Sequence, residues 1–395
     1  MKTHKHLYNK VWDFENLLAA SKLAQRGKRR EPDVYAFNAE LEKNLLRLQE
    51  ALRSMTWTPG KYRDFYVYEP KKRLVSAAPY EDRVVHHALC RVLEPVWETM
   101  FIFDSYACRL GKGTHAAADR YTEFSRKAKY VLKCDISKYF EHVDHGILLE
   151  EIGRYVKDDG IAWLVKSILV SNNARPAATA GKGIPIGNLT SQFFANVYLN
   201  RFDHWVKEDV RHRFYIRYVD DFVILADDKT VLHETFREIE VKLADIGLTI
   251  HPRKRSVFPV SEGCDFMGYR IWPEHRRLRP KTGYHSRRKL VRLATRYREG
   301  EIPLDRVKAS VAAWIGHVKH ADTWGLRKAV FGQLRFAKPS SNFQRLTSNL
   351  RIGTGHNGAI VSCGAVVGTT TTTTTGAPTA TTTTRTTITT TTGFG

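Results

Sequence analysis

The stretch Phe214-Tyr215-Ile216-Arg217-Tyr218-Val219-Asp220-Asp221-Phe222-Val223-Ile224-Leu225 decides how the rest of the chain is interpreted. Aromatic and β-branched residues flank the Asp pair on both sides, a pattern that predicts two strands folding back on each other with the acids at the bend. An isolated Asp pair is also typical of an ordinary turn. A third acid, Asp135, ends the β-like run Tyr130–Asp135, and a polar loop containing glycine spans Ile186–Gln192. Three carboxylates on one face of a sheet would suit hard divalent ions, and a basic chain around them would suit phosphate.

At these residues the sequence resembles the reverse transcriptases. Tyr218-Val219-Asp220-Asp221 is similar to their Tyr-x-Asp-Asp box, and the order of the other blocks agrees from about Val11 to Leu326. Ile186-Gly187-x-x-x-Ser191-Gln192 matches the form typical of diversity-generating retroelements, whereas other reverse transcriptases usually show Gln-Gly-x-x-x-Ser-Pro there. The resemblance implies an α+β right-hand polymerase fold with an antiparallel-sheet palm, fingers and a short helical thumb.

The resemblance also implies two-metal phosphoryl transfer. Asp135, Asp220 and Asp221 are expected to be the catalytic acids, and together with Ile136 they are expected to form the site for two Mg²⁺ ions, with Mn²⁺ as the alternative ion. One ion would lower the pKa of the primer 3′-hydroxyl, and the other would bind the triphosphate.

A predicted hairpin over residues 62–77 carries Lys71, Lys72 and Arg73 at its turn, where the family binds the incoming nucleotide. We favour Arg73, because a planar guanidinium binds phosphate oxygens in pairs. An exposed basic turn without a ligand is the alternative.

Four further residues are assigned to the nucleotide by the resemblance, namely Arg109, Phe140, Gln192 and Lys254. Phe140 follows Asp135 by five positions and is expected to exclude a 2′-hydroxyl, unless it is simply an aromatic of the core. Lys254 is expected to assist the pyrophosphate leaving group.

Two more sites follow from the resemblance. Ile186, Gly187, Ser191 and Gln192 are expected to govern fidelity, because this box accompanies frequent misincorporation opposite template adenines in the retroelement family. The second site resembles a primer grip and contains Phe266, Met267, Gly268 and Tyr269. Its glycine is expected to let a backbone approach closely.

The composition agrees with a nucleic-acid partner. Lys+Arg number 63 and Asp+Glu 41, a formal net charge of +22, which favours a polyanion but no particular sequence. The chain shows no apolar run of membrane-spanning length and no signal-peptide pattern. Five scattered cysteines without Cys-x-x-Cys spacing predict reduced thiols and a cytoplasmic location, and exclude a zinc or disulfide framework.

Five regions are expected along the chain: an N-terminal helical extension (1–58), fingers (59–129), a palm with embedded fingers elements (130–272), a thumb (273–337) and a Thr-rich low-complexity tail (338–395). The tail cannot bury a core and is expected to be disordered. In the extension, one helix face is predicted to carry Phe37, Leu41, Leu45, Leu48 and Leu52.

The predicted function is an RNA-directed DNA polymerase that copies a template-repeat RNA into cDNA with errors at template adenines, for mutagenic retrohoming. The resemblance implies four partners: the template RNA, the RNA–DNA hybrid, dNTPs and a small helical accessory variability protein. A retron-type or group II intron reverse transcriptase of ordinary fidelity is one alternative. No Asn-Ala-x-x-His or Val-Thr-Gly element supports the retron type, and the region after Leu326 is too short for a maturase domain. A non-catalytic RNA-binding protein is the other alternative, against which the intact set of three acids argues.

Overall fold

The computed structural model describes residues 3–68, 72–171 and 181–334. Lys71 and the Thr-rich tail lie outside these ranges. The strands within them form three antiparallel sheets. The sheets contain, in turn, β1 (Arg63–Val67) and β2 (Arg73–Ala77); β3 (Tyr130–Asp135), β4 (Tyr215–Tyr218), β5 (Asp221–Ala226) and β6 (Ser256–Pro259); and β7 (Cys264–Phe266), β8 (Tyr269–Ile271) and β9 (Arg276–Leu278).

Helices account for most of the remaining described chain. In order they are α1 (Tyr8–Trp12), α2 (Phe14–Ala24), α3 (Pro32–Ala39), α4 (Leu41–Arg53), α5 (Tyr80–Glu98), α6 (Thr114–Ser125), α7 (Tyr139–His142), α8 (His145–Tyr155), α9 (Asp159–Ser171), α10 (Leu189–Tyr198), α11 (Asn200–His204), α12 (Lys229–Ala244), α13 (Pro280–Arg298), α14 (Leu304–Val318) and α15 (Trp324–Gln333). A π-helical turn, Trp205–Asp209, continues α11, and a 3₁₀ turn, Val260–Glu262, precedes β7. Within the described ranges, no helix is both long and apolar enough to cross a lipid bilayer.

The four-stranded sheet, in the order β4-β5-β3-β6, separates two hydrophobic cores. Successive side chains of a strand point to opposite faces. Leu132 and Ile224 pack into the larger core, which also contains much of α1 to α5, α8 to α10 and α12. Val131 and Val223 pack into the smaller core, together with residues of α6, β7 and β8. Burial on both faces explains why these strands are nearly continuous apolar runs.

The C-terminal helices form a small core of their own, with Leu290, Trp314, Val318 and Val330 buried between α13, α14 and α15. The α+β class with antiparallel sheets is therefore confirmed, whereas the boundaries of fingers, palm and thumb stay predictions.

Two predicted helices are shorter than expected. The apolar stripe from Phe37 to Leu52 belongs to two helices, because Glu40 leaves the helical region with φ −123° and ψ 46° between α3 and α4. Phe37 and Leu52 are nevertheless both buried in the larger core. Similarly, the helix expected over about Leu189 to Val206 is divided into α10, α11 and the start of the π-helical turn.

Candidate active site

Strand pairing brings the three acids together at one end of the sheet. Asp135 at the end of β3 lies opposite Asp221 at the start of β5, and Tyr218 of β4 also lies opposite Asp221. Asp220 occupies the turn between β4 and β5, and its carbonyl accepts a hydrogen bond from the Ile136 amide at 3.0 Å. Asp135 thus lies beside Asp220 and Asp221 at one end of the strands, although the sequence separates it from them by 85 residues or more.

The three carboxylates line an open cleft of about 630 Å³. The other charged residues of its lining are mostly cations: Arg73, Lys133, Lys254, Arg270 and Arg279, with Glu262 and Asp265 as the acids. Such a mixture fits an anionic ligand held over a cation site, because phosphate oxygens accept from the cations while the carboxylates remain available as ligands.

The pKa values of the two acids at the turn, Asp220 and Asp221, are raised. Burial raises the pKa of Asp221 to about 6; Lys133 opposes this rise, while the charges of Asp220 and Asp135 and a hydrogen bond to Asp135 add to it. The pKa of Asp220 is also raised, first by burial and then by Asp135, against the opposing charges of Lys254 and Arg73. Neighbouring carboxylates that repel each other are relieved by a bound cation.

Lys254 neutralises one of these acids in the structure. Its Nζ lies 2.6 Å from Oδ2 of Asp135, and the Lys254 side chain is 41% exposed. The segment that carries Lys254 is fixed to the same strand end, because the His251 amide donates to the Asp135 carbonyl at 2.8 Å. The predicted contact of Lys254 with a leaving group stays a prediction. The structure adds a contact with Asp135 that the sequence did not indicate.

The donor set fits Mg²⁺, which prefers carboxylate and carbonyl oxygens. Asp135, Asp220 and Asp221 supply the carboxylates, and Ile136 has only its backbone carbonyl to offer. Within the described ranges, no three acidic, histidine or cysteine side chains form a ready-made cage. A metal ion bound at Oδ2 of Asp135 would compete with the Lys254 ammonium for that oxygen.

Three cations of the cleft were not predicted from the sequence: Lys133, Arg270 and Arg279. Lys133 had a detectable signal, because it precedes Asp135 by two positions and so shares its face of β3. Its Nζ donates to the carbonyl of Asp265, which ties β3 to the three-stranded sheet. Arg270 and Arg279 had no such signal, since their place at the cleft depends on how two sheets meet.

Of the described cations near the β1–β2 turn, Arg73 reaches the cleft. Lys72 instead lies over the Tyr66 ring, with Nζ 4.4 Å from the ring centroid. Lys71 is outside the described residues. The expectation that Arg73 is the main nucleotide contact of this turn is consistent with this placement and stays a prediction.

The residues predicted to govern fidelity do not share one environment. The Ile186 carbonyl accepts from the Ser76 amide of β2 at 2.9 Å. Gly187 has φ +123°, and a Cβ there would lie 2.8 Å from Cγ1 of Val75 and 3.1 Å from the Ser76 carbonyl oxygen. Ser191 is buried inside α10. The structure therefore separates Ile186 and Gly187, which contact the hairpin, from Ser191, which packs inside the fold.

Gln192 faces a second cleft, of about 280 Å³. This cleft has cationic side chains in its lining, namely Arg26, Lys28 and Arg83. Arg26 and Lys28 belong to the basic loop between α2 and α3, so the N-terminal helices help to form this cleft. A basic cleft of this kind suits a nucleic-acid backbone.

Arg109 makes contacts within the protein, and the nucleotide contact predicted for it stays a prediction. Its side chain is 5% exposed and forms an ion pair with Glu98 at 2.6 Å. Its Nη1 donates to the carbonyls of Ile102 and Ser105 at 2.7 and 2.8 Å. A buried guanidinium must satisfy its donors inside the protein, and these bonds hold the loop after α5.

Phe140 is half-buried on α7 and packs against the larger core, with its ring 5.8 Å from that of Tyr139. It does not line the cleft of the three acids. Both interpretations of this aromatic remain compatible with the structure, and its role as a filter for the sugar stays a prediction.

The predicted primer grip forms the tight turn between β7 and β8. Met267 and Gly268 have φ values of 50° and 87°, as a two-residue hairpin turn requires. A Cβ on Gly268 would meet only His317, at 3.6 Å, which is ordinary contact. Within the protein, the glycine supplies the turn conformation, and the expected close approach of a backbone stays a prediction. Phe266 and Tyr269 are buried in the smaller core.

Comparison with known proteins gives one family. A family model described as reverse transcriptase (RNA-dependent DNA polymerase) matches residues 64–271, more than half of the chain. The protein YkfC of Escherichia coli is 25% identical over an alignment of 275 residues, which covers 59% of this chain and 72% of that protein. The group II intron-encoded protein LtrA of Lactococcus lactis is 25% identical over 171 residues, 42% of this chain and 28% of LtrA, so the chain spans less than a third of that relative. Among solved structures, apo telomerase from Candida tropicalis has a TM-score of 0.43 and 12% identity, with 55% of this chain and 48% of that chain covered.

Proposed function

The chain belongs to the reverse transcriptase (RNA-dependent DNA polymerase) family, and we propose that it extends a primer on an RNA template at the cleft that contains Asp135, Asp220 and Asp221. The observation that supports this proposal most strongly is the strand register, in which Asp135 lies opposite Asp221 with Asp220 at the adjoining turn. The surrounding cations suit the triphosphate of a dNTP and the backbone of an RNA–DNA hybrid.

In this proposal Asp135 and Asp220 hold two Mg²⁺ ions, with Asp221 and the Ile136 carbonyl in support. When bound, the ions lower the pKa of the primer 3′-hydroxyl and neutralise charge on the triphosphate. Arg73 binds phosphate oxygens from the side of the hairpin. Lys133 and Lys254 add positive charge at the floor of the cleft.

Lys254 has a second task in this scheme. Without a nucleotide, its ammonium neutralises Asp135. An incoming triphosphate offers Nζ a competing anionic partner, which frees Oδ2 of Asp135. Lys254 then holds a proton beside the pyrophosphate that leaves, the position that the family resemblance implies for this lysine.

At a finer level, we propose that the enzyme serves a diversity-generating retroelement and copies template adenines with errors. The sequence Ile186-Gly187-x-x-x-Ser191-Gln192 supports this. So does the contact of Ile186 and Gly187 with β2, because β2 begins at Arg73. A change in this loop therefore acts on the nucleotide side of the cleft. The template-repeat RNA and a small helical accessory variability protein are the corresponding proposed partners.

Primer extension on a defined RNA template tests the activity. Asp220→Asn should abolish extension while leaving RNA affinity unchanged. Asp227→Asn makes the same chemical change at an exposed residue just after β5, and should leave extension unchanged. Extension by Asp220→Asn at the wild-type rate would refute the assignment. If the wild type binds RNA but extends no primer, whether or not Mg²⁺ is present, the result would favour a non-catalytic RNA-binding protein.

Sequencing the cDNA tests the finer proposal. Errors concentrated opposite template adenines would support the retroelement function. Errors that are rare and evenly distributed over the four template bases would instead favour a reverse transcriptase of ordinary fidelity.

A further inference from the structure

A fully buried arginine lies directly beside the acids. Arg217 of β4 and Asp203 of α11 are both 0% exposed, and their ion pair is bidentate, with Nε to Oδ1 at 2.7 Å and Nη2 to Oδ2 at 2.6 Å. Nη2 also contacts Ser105 Oγ at 3.3 Å, and Nη1 contacts Asn196 Oδ1 at 3.3 Å. The fifth donor bonds to the Val219 carbonyl at 3.1 Å. Because a guanidinium has five N–H donors, none is left for a substrate.

The residue whose carbonyl Arg217 binds has an unfavourable backbone. Val219 has φ 56°, a region that β-branched residues rarely occupy and that costs about 1–3 kcal/mol. Such a conformation persists only where its surroundings fix it. Two consecutive carbonyls of the turn are fixed, since that of Val219 accepts from Arg217 and that of Asp220 from the Ile136 amide. The carboxylates of Asp220 and Asp221 follow immediately.

Three parts of the chain surround the pair and are bonded to it or to its partners. Asn196 on α10 is itself held by its donation to the Ala107 carbonyl at 2.8 Å. Tyr215 donates to Oδ1 of Asp203 at 2.7 Å. The backbone of Arg217 bonds to Asp104 and Tyr106, both at 3.0 Å. A buried ion pair contributes little net stability compared with apolar residues of the same volume, so stability alone does not account for this arrangement.

We propose that Arg217 is a positioning residue for the reaction, and that the Arg217–Asp203 pair fixes the Val219 turn so that Asp220 and Asp221 hold the metal ions in productive geometry. This proposal rests on the proposed function of the cleft. Arg217 acts through the Val219 carbonyl and touches neither substrate nor metal.

Three variants separate positioning from stability. Arg217→Lys keeps the charge but cannot reproduce the five bonds. Arg217→Met leaves Asp203 buried without its partner. The triple variant Arg217→Met, Asp203→Leu, Tyr215→Phe removes the buried charges together with the hydroxyl that bonds to Asp203. Arg154→Met is the control, because it removes another pair of an arginine with a buried carboxylate, Glu151 at 3.5 Å, on α8.

The measurements are the thermal unfolding midpoint, kcat and KM for dNTP, and the Mg²⁺ concentration that gives half-maximal activity. For Arg217→Lys we expect kcat to fall about 100-fold, the effect of a misplaced reacting group, with KM for dNTP unchanged. The half-saturating Mg²⁺ concentration should rise about tenfold, as when a residue that orients metal ligands is lost. The triple variant should recover the unfolding midpoint of the wild type but keep the low kcat. Arg154→Met should change neither kcat nor the Mg²⁺ dependence.

Recovery of kcat together with the unfolding midpoint in the triple variant would overturn the proposal, because the pair would then serve stability alone. If the triple variant fails to fold, Arg217→Lys decides: a normal Mg²⁺ dependence in a folded Arg217→Lys protein overturns positioning. Mn²⁺ binding to the wild type and to Arg217→Lys, followed by water proton relaxation, needs no catalysis. It therefore still tests positioning if the wild type extends no primer, the result that would refute the proposed function itself.

Discussion

Replacing Gly187 with alanine tests how the loop before α10 is attached to the β1–β2 hairpin. The new Cβ would lie 2.8 Å from Cγ1 of Val75 and 3.1 Å from the Ser76 carbonyl, on a backbone with φ +123°. The backbone strain costs about 1–3 kcal/mol and the overlap about 1–3 kcal/mol more. We therefore expect the free energy of unfolding to fall by about 2–6 kcal/mol, unless the loop moves off the hairpin.

If the loop moves, the loss of stability shrinks and the loss of function grows. The Ser76–Ile186 hydrogen bond would then break, and β2 would lose the contact that fixes Arg73 over the cleft. KM for dNTP should rise in that case, whereas the affinity for template RNA should not change.

Chemical denaturation and steady-state primer extension together measure both outcomes. Gly247→Ala is the matched control, because Gly247 has φ +71° and its Cβ would meet no atom within 4 Å. That variant should lose only the cost of a left-handed alanine, about 1–2 kcal/mol. The reasoning is refuted if Gly187→Ala is no less stable than Gly247→Ala and has a normal KM for dNTP.

Three further predictions concern single side chains. The raised pKa of Asp221, about 6, means that the folded protein binds this proton more tightly than the unfolded chain does, so stability without Mg²⁺ should fall as pH rises towards 6. Saturating Mg²⁺ or Asp221→Asn should remove this trend in thermal unfolding curves. A trend that survives Asp221→Asn would contradict the assignment. Lys254→Met should raise KM for dNTP about 10- to 100-fold, the value of a charge-assisted hydrogen bond. The KM of Lys254→Arg should lie between those of the wild type and Lys254→Met. Equal KM values for these three proteins would argue against a phosphate contact. Arg109→Met should lower the free energy of unfolding by about 2 kcal/mol, because the Ile102 and Ser105 carbonyls lose their donor. It should leave KM for dNTP unchanged. A selective rise in that KM would instead support the nucleotide contact predicted for Arg109.

The local sequence pattern was enough to predict the strands β3, β4 and β5. The apolar runs around Asp135 and around the Asp220-Asp221 pair gave β3, β4 and β5 nearly residue for residue, because burial on both sides leaves a continuous signature. The approach of Asp135 to the pair came from the family resemblance, since single-sequence patterns do not specify which strands pair.

The features that the sequence did not predict depend on contacts formed only in the folded chain. Arg217 is a charged residue between Ile216 and Tyr218 of a strand, and no local pattern indicates that it pairs with the buried Asp203. Arg109 matched a nucleotide-binding block, yet Glu98 and two carbonyls take up its donors. Glu40 divides a helical stripe that periodicity alone would continue. In each case the deciding contact comes from a residue whose position only the folded chain defines.

Successive side chains of β3 alternate between the face that carries the cleft residues and the face that packs into the larger core. Lys133 and Asp135 share one face with Val131, while Leu132 and Cys134 fill the larger core from the other. One inserted or deleted residue in this strand would exchange the two sets, sending an acid and a lysine into the hydrocarbon interior and a thiol into the cleft. A change of length in this strand would therefore damage the core and the cleft together, whereas a single substitution changes only one of the two faces.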